Sequence, residues 1–160
     1  MSPERFIDLV RAEQESIRRF LLALCAGDSQ EADDIAQDAL IRAYIASGSF
    51  LGLSKFSTWL FRIAYNCYLD RQRRSRHETI STDSVQALSI PSTEQADDQF
   101  RYQQLYKALE QLPEKEKAAI VLHYFEDLSI KEIASILQSP PGTIKYHLSL
   151  GRNHLKSILQ

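Results

Sequence analysis

The sequence has few of the residues that mark specialised protein classes, with two cysteines, five glycines and five prolines among 160 residues. So little glycine and proline excludes a collagen-like or low-complexity chain. The 44% of apolar residues is enough to form a packed core. No apolar run reaches the roughly 18 to 20 residues that span a bilayer, and the N-terminus lacks the basic and then apolar order of a signal peptide. We therefore expect a soluble, cytoplasmic protein with no direct membrane insertion.

The residues that carry most enzyme chemistry are also sparse and scattered. Cys25 and Cys67 lie far apart among apolar neighbours, which favours small buried side chains over a disulfide or a Cys-x-x-Cys zinc site. The four histidines share no metal-ligand spacing, and there is no glycine-rich phosphate loop or nucleophile constellation. We predict no catalytic residues, no metal and no cofactor, and therefore no enzyme.

An excess of charge of one sign is missing as well, since 19 Lys and Arg stand against 21 Asp and Glu. The net charge of −2 by itself argues against nucleic-acid binding. The charge is nevertheless uneven. Residues 28–38 hold five acidic side chains and no basic one, and residues 81–100 hold four acidic ones. Residues 62–78 hold five arginines against two acids, and residues 129–160 four basic side chains against one acid. Two basic patches are hidden in an acidic average.

Apolar residues recur at three- and four-residue spacing along the chain, which predicts an all-α fold without strands. A first helix, or a broken pair, ends at Gly27, and Asp28 with Glu31 caps a second helix with a narrow alanine-rich stripe. A third helix ends in the arginine cluster of residues 71–76. Its predicted core face consists of Phe56, Trp59, Leu60, Ile63, Ala64 and Cys67.

The composition of residues 79–100 is typical of a flexible linker, which divides the chain into two small helical domains, residues 1–78 and 101–160. Fully extended, such a linker spans up to about 70 Å. In the second domain Pro113 begins a helix, and Ser129 with Glu132 forms the capping box of a short one. The two prolines of residues 139–142 begin the last helix.

The last two helices have the length and turn of a helix-turn-helix, whose second helix enters the major groove of DNA. The alternative is a plain antiparallel helix pair with a solvated polar face. The positions available to DNA are Thr143, Lys145, Tyr146, His147, Ser149 and Arg152.

Two other surfaces also allow two explanations. Phe61, Tyr65 and Tyr68 lie on a second face of the third helix, beside basic side chains that include Arg62. Aromatic and cationic side chains together can bind unpaired bases, or another helix can cover the aromatics. The arginine cluster can equally be a solvated helix end. The acidic helix is either a solvated face or a docking surface for a basic partner.

Three segments in this order resemble the bacterial sigma-70 family, specifically the short extracytoplasmic-function sigma factors built from sigma domain 2 and the helix-turn-helix sigma domain 4. Residues 32–44 (ADDIAQDALIRAY) resemble the helix that binds the RNA polymerase clamp. Residues 56–74 (FSTWLFRIAYNCYLDRQRR) resemble the helix that melts and reads the minus-ten element. Residues 112–116, 128–134 and 142–145 are similar to the reader of the minus-thirty-five element.

The resemblance implies a sigma factor that docks on core RNA polymerase, directs it to promoter DNA and helps to melt the minus-ten region. It implies a polymerase-binding set, Asp33, Asp34, Gln37, Asp38 and Arg42. The loop of residues 51–55 would hold a flipped-out base, and the minus-ten set is Lys55, Asn66, Arg73 and Arg74. The minus-thirty-five set is Thr143, Lys145, Tyr146, His147 and Arg152. It further implies regulation by an anti-sigma factor, often membrane-bound, that covers the polymerase-binding surfaces.

The sequence departs from the family pattern at the helix-turn-helix. Gln138 stands where the family commonly has glycine, so the turn must form without its usual positive-φ residue or with one placed elsewhere. Tyr146 and His147 stand where an arginine is frequent, and a neutral His147 contributes less to phosphate binding than arginine does. Two rival functions remain at this point. A stand-alone helix-turn-helix regulator would bind duplex DNA without polymerase, and a protein-binding adaptor would show no salt-sensitive DNA affinity.

Overall fold

A computed structural model of the chain describes residues 1–78 and 96–160, which contain α-helices and no β-strand, so the predicted all-α fold class is confirmed. No helix in these two ranges combines the length and the apolar character that crossing a bilayer requires. The helices are α1 (Pro3–Leu24), α2 (Ser29–Ala46), α3 (Phe56–Glu78), α4 (Ala96–Glu110), α5 (Glu114–Ile120), α6 (Ile130–Leu137) and α7 (Pro141–Leu159). A 3-10 turn (Ser47–Ser49) follows α2, and a π-helical turn (Val121–Phe125) continues α5.

The local signals for helix ends are confirmed at several positions. The Asp28 carboxylate accepts a hydrogen bond from the Glu31 backbone N–H at 3.2 Å, and Ser129 and Glu132 form the predicted capping box. Pro141 is the first residue of α7, whereas Pro113 lies one position before α5. The predicted linker extends into α4, which begins at Ala96, and its residues 79–95 lie outside the described residues.

In the first half of the chain, residues 1–78, helices α1, α2 and α3 pack around one apolar core. Helix α1 is a single helix rather than a broken pair, and it ends through positive φ angles at Ala26 and Gly27. The stripe of α2 is buried at Ala32, Ile35, Ala39 and Ala43, and its small side chains let α3 approach closely. Burial raises the pKa of the Cys25 thiol to about 12, and it also raises the pKa of the Cys67 thiol. Both cysteines therefore pack in or against the core as small side chains, as the sequence predicts.

In the second half, residues 96–160, α5, α6 and α7 form the helix-turn-helix core. Helices α5 and α7 lie close together at Gly151 of α7. A Cβ atom on Gly151 would lie 2.8 Å from Cγ1 of Ile120 in α5. Any larger residue at this position would force the two helices apart. The buried face of α6 consists of Ile133, Ala134, Ile136 and Leu137, and α7 contributes Ile144 and Leu148.

The two halves pack against each other, and one hydrophobic cluster extends through both. Helix α6 lies on α3, the π-helical turn lies on α1, and α4 also contacts α1. Where α4 contacts the end of α1, the Tyr106 ring lies close to Gly27. A Cβ atom on Gly27 would be 3.0 Å from Cδ2 of Tyr106. The halves are therefore not separate bodies in this structure.

This packing decides between the two explanations for the aromatic face of α3. Phe61, Tyr65 and Tyr68 are buried, with 2%, 5% and 1% of their surface exposed. The Phe61 ring makes an edge contact with Phe20 of α1, with centroids 5.3 Å apart, and the Tyr68 hydroxyl donates a hydrogen bond to Glu114 of α5. The hypothesis that these aromatic rings are exposed to bind unpaired bases is therefore wrong for this structure. Neighbouring helices cover the rings.

The helix-turn-helix bend forms without glycine. Gln138 ends α6 in the left-handed region at φ 51° and ψ 48°, and it exposes its side chain to solvent. A residue with a Cβ atom is strained there by roughly 1 kcal/mol or more. The positive-φ position is therefore retained, with glutamine in place of glycine.

We expect Gln138→Gly to raise the free energy of unfolding by about 1 kcal/mol, because glycine relieves this strain. Urea denaturation followed by circular dichroism measures the change. Gln104→Gly, at an exposed position inside α4, is the matched control and should lower the stability by about 1 kcal/mol. Equal destabilisation by both substitutions would contradict the strain at Gln138.

Candidate functional site

The polymerase-binding set predicted on α2 lies along one partly exposed surface. Asp33, Gln37 and Arg42 are exposed, and Asp34 and Asp38 are half-buried. The structure brings all five together on a single helix whose opposite face is buried. The surface is continuous over more than two helical turns.

The charge of this surface is partly neutralised by arginines of neighbouring helices. Arg71 of α3 contacts Glu31 at 2.7 Å and Asp34 at 3.3 Å, and Arg18 of α1 contacts Asp33 at 3.1 Å. The hydrogen bond to Glu31 is the largest of the effects that raise the pKa of Arg71. Arg71 therefore links α3 to α2 through two carboxylates of α2.

The same surface has exposed apolar members that were not predicted from the sequence. Ile41, Tyr44 and Ile45 are 59%, 54% and 78% exposed, near the end of α2. Ile41 and Ile45 follow Gln37 at four-residue spacing, so they continue the exposed face. That four-residue spacing is visible in the sequence and is the signal that marks both isoleucines. Exposed isoleucines beside charged residues are typical of a protein-binding surface.

The loop before α3 presents a second exposed surface. Leu51 and Leu53 are 78% and 89% exposed, and Lys55 is exposed, with its Nζ 4.0 Å from the Glu132 carboxylate of α6. An open depression lies beside the loop, lined by Met1, Arg5, Phe50, Leu51 and Gly52. This depression combines apolar walls with one guanidinium.

The remaining minus-ten residues lie along α3. Asn66, Arg73 and Arg74 are exposed, and the guanidinium of Arg73 is bonded to the Asp70 carboxylate. Arg42 of the polymerase-binding set contacts the other oxygen of Asp70 at 2.8 Å. The hydrogen bond from Arg42, reinforced by Arg73, holds the pKa of Asp70 below its ordinary value. Asp70 thus joins the two predicted sets.

The minus-thirty-five set lies on α7. Lys145, Tyr146 and Arg152 are exposed, and Thr143 and His147 are half-buried. Arg152 donates a hydrogen bond to the Tyr124 hydroxyl at 3.1 Å, which adds an exposed tyrosine that the sequence analysis missed. Nδ1 of His147 is buried without a hydrogen-bond partner.

The histidines of α7 do not form a common site. His154 is bonded through Nδ1 to the buried carboxylate of Glu116 at 2.6 Å. In the described ranges, no three His, Cys, Asp or Glu side chains are grouped so that they could hold a metal ion. These surfaces share exposed charged side chains and exposed apolar side chains, most of them on helices.

Two family models match the chain in the expected order. The model described as sigma-70 region 2 matches residues 9–78, and the model described as sigma-70, region 4 matches residues 102–155. The first match contains the acidic helix and α3, and the second contains the helix-turn-helix. All three predicted sets of site residues therefore lie inside segments of this family.

Curated relatives match over the full length. The chain is 36% identical to the ECF RNA polymerase sigma factor SigW of Bacillus subtilis, over 98% of this chain and 90% of that protein. It is 32% identical to the RNA polymerase sigma-H factor of Pseudomonas aeruginosa, over 98% of this chain and 88% of that protein. Similarity across both halves favours a sigma factor over a stand-alone helix-turn-helix regulator.

Solved structures agree with the fold. The sigma factor RpoE of Bartonella quintana, in complex with the anti-sigma factor NepR, superposes with a TM-score of 0.77 at 25% identity, over 98% of this chain and 97% of that one. CnrH, in complex with the cytosolic domain of CnrY, superposes with the same TM-score at 20% identity, over 99% of this chain and 89% of that one, which supports the fold alone. The chain belongs to the sigma-70 family, among its extracytoplasmic-function RNA polymerase sigma factors.

Proposed function

We propose that the chain docks on core RNA polymerase through the exposed face of α2. The docking surface contains Asp33, Asp34, Gln37, Asp38 and Arg42, and the exposed Ile41 and Ile45 extend it. The observation that supports this surface best is its composition, because apolar side chains ringed by charge combine affinity with electrostatic selection of the partner. A basic polymerase surface is the expected counterpart.

We propose that residues 1–78 form the domain that reads and opens the minus-ten element. Asn66, Arg73 and Arg74 are exposed along α3, where they can follow a single strand and neutralise its phosphates. Lys55 lies on the adjoining loop, which also contributes Phe50 and Leu51 to the depression, where the guanidinium of Arg5 is the cation. An apolar depression next to a cation is suited to a flipped-out base.

Residues 101–160 form the proposed domain for the minus-thirty-five element, and residues 79–100 its connection to the first. Lys145, Tyr146 and Arg152 are exposed on α7, the second helix of the helix-turn-helix. Thr143 and His147 complete the set. Tyr124 positions Arg152 through its hydroxyl.

The proposed role is non-catalytic and cytoplasmic. An anti-sigma factor is the expected regulator, because the similar sigma factor RpoE was solved in complex with one. The experiment that tests the function is run-off transcription with purified bacterial core polymerase and a randomised promoter library. Promoter-specific transcripts that require the chain support the function, whereas their absence contradicts it.

Reversing two charges on α2 tests the docking surface. We expect Asp34→Lys with Asp38→Lys to reduce co-purification with core polymerase by at least tenfold, because it places cations against a basic partner. The control is Asp8→Lys with Glu110→Lys, which changes the net charge equally at two exposed positions of α1 and α4. Equal retention of the two variants on polymerase would exclude the α2 surface.

Removing two arginines of α3 tests the contact with the melted strand. We expect Arg73→Ala with Arg74→Ala to impair open-complex formation while polymerase binding is unchanged. The salt dependence of promoter binding should fall by about two counterions. Permanganate footprinting measures melting, with Arg11→Ala and Arg101→Ala as exposed controls. Normal melting by the Arg73 and Arg74 variant would remove the proposed role of both arginines.

A further inference from the structure

The depression beside the loop before α3 lies between that loop and the start of α1. Met1 and Arg5 line it from one side, and Phe50, Leu51 and Gly52 line it from the other. Its volume is about 280 Å³, and pockets for small ligands begin at roughly 300 Å³. The depression therefore suits a single planar ring system of the size of a nucleobase.

The two sides of the depression are fixed to one aromatic cluster. The Phe50 ring packs against Phe56 and Trp59, with centroids 5.7 and 5.2 Å away. Phe56 in turn makes an edge contact with Phe6 of α1, with centroids 6.1 Å apart. The loop then turns at Gly52, whose positive φ of 73° is a conformation that other residues rarely adopt. The start of α1 and the loop therefore keep a fixed spacing.

Arg5 supplies a cation to the depression. Its backbone N–H donates to the Ser2 hydroxyl at 3.2 Å, which caps the first turn of α1. Within residues 1–78 and 96–160, its guanidinium has neither a hydrogen bond nor an ion pair. Arg18, Arg42 and Arg71, in contrast, each contact a carboxylate. The side-chain donors of Arg5 are therefore available to a ligand.

The depression lies at one end of the path proposed for the opened strand. Phe56 is the first residue of α3, and the exposed Asn66 lies about 15 Å of helix farther along. Arg73 and Arg74 follow on the same helix. A strand that runs along α3 can thus bring one unpaired base to the loop, where a base out of its stack presents its hydrogen-bonding edges.

The chemistry of a guanidinium restricts which base it can bind. Arginine only donates hydrogen bonds, and its paired N–H groups match two adjacent acceptors. Guanine has such a pair at O6 and N7, and cytosine has one at O2 and N3. Adenine and thymine instead alternate acceptors with donors along their edges. A base that stacks on Phe50 and receives two hydrogen bonds from Arg5 is therefore a guanine or a cytosine.

We propose that Arg5 determines which unpaired base the depression accepts and favours guanine or cytosine over adenine and thymine. This selectivity rests on the proposed function, because it requires the chain to hold an opened minus-ten strand. Arg5 precedes residue 9, where the match to the model of sigma-70 region 2 begins. The specificity-determining guanidinium is thus supplied by a part of α1 that lies outside the matched segment.

Transcription from promoters randomised in the minus-ten element tests the selectivity, with holoenzyme assembled from the chain and purified core polymerase. We expect a preference of about tenfold for guanine or cytosine at one position of the non-template strand, as one bidentate contact provides. The enriched promoters show which of the two bases is selected. Arg5→Lys keeps the charge but loses the paired donors, so this preference should fall below about twofold.

The matched control is Arg11→Ala, which removes another exposed arginine of α1 and should keep the full preference. Identical base preferences in Arg5→Lys and the unmodified chain at every position would overturn the proposal. A preference for adenine or thymine at the position that Arg5→Lys alters would overturn it as well.

Base analogues test the direct contact. In 7-deazaguanine and 3-deazacytosine one ring-nitrogen acceptor of the proposed pair is absent. On a promoter with a premelted bubble, we expect the analogue of the selected base to shorten the lifetime of the holoenzyme complex about tenfold, and to have no further effect with Arg5→Lys. An equal loss with both proteins, or no loss with the unmodified chain, refutes the role of Arg5 alone. Failure of the unmodified holoenzyme to bind any bubble promoter contradicts the proposed function, and the selectivity with it.

Discussion

The polar contacts between the two halves depend on two helix C-termini whose own last turns contain no basic residue. Helix α1 ends at Leu24 and α6 at Leu137, and neither has a basic residue in its last turn. Lys117 and Arg62 supply the missing cations from the opposite half. A buried ammonium is costly unless every donor is satisfied, and Lys117 has its full set of acceptors only while the halves are together. This constraint explains why Tyr68, whose burial and contact with Glu114 raise its pKa, stays protonated as both donor and acceptor between the halves.

The local features of the fold could be predicted from the sequence because they depend on neighbouring residues. The cap at Asp28, the capping box at Ser129 and the proline that begins α7 all follow from rules that act within four residues. The alanine stripe of α2 follows from helical periodicity in the same way. The family resemblance added the order of the segments, which composition and periodicity alone could not supply.

The contacts between the halves could not be predicted, because periodicity shows that a face is apolar without showing which element covers it. Phe61, Tyr65 and Tyr68 form a face that suits bases or a neighbouring helix equally well, and the covering side chains come from α1 and from beyond residue 100. Arg62, which lies beside this face, was open to the same two explanations. Its partner, the Ser135 carbonyl, is a backbone atom that no sequence pattern marks. The exposed isoleucines of α2 are a different case, since their spacing was readable.

The ion pairs also change what the near-neutral net charge means. In the sequence, the acidic residues 28–38 and the arginines of α3 form separate charged patches. In the structure, Arg71 is bonded to Glu31 and Asp34 across the α2–α3 contact. The two proposed binding surfaces are linked by a shared carboxylate, because Asp70 accepts from Arg42 and from Arg73. Polymerase docking and strand binding, as proposed, would therefore involve the same ion triad of Arg42, Asp70 and Arg73, which spans the α2–α3 pair.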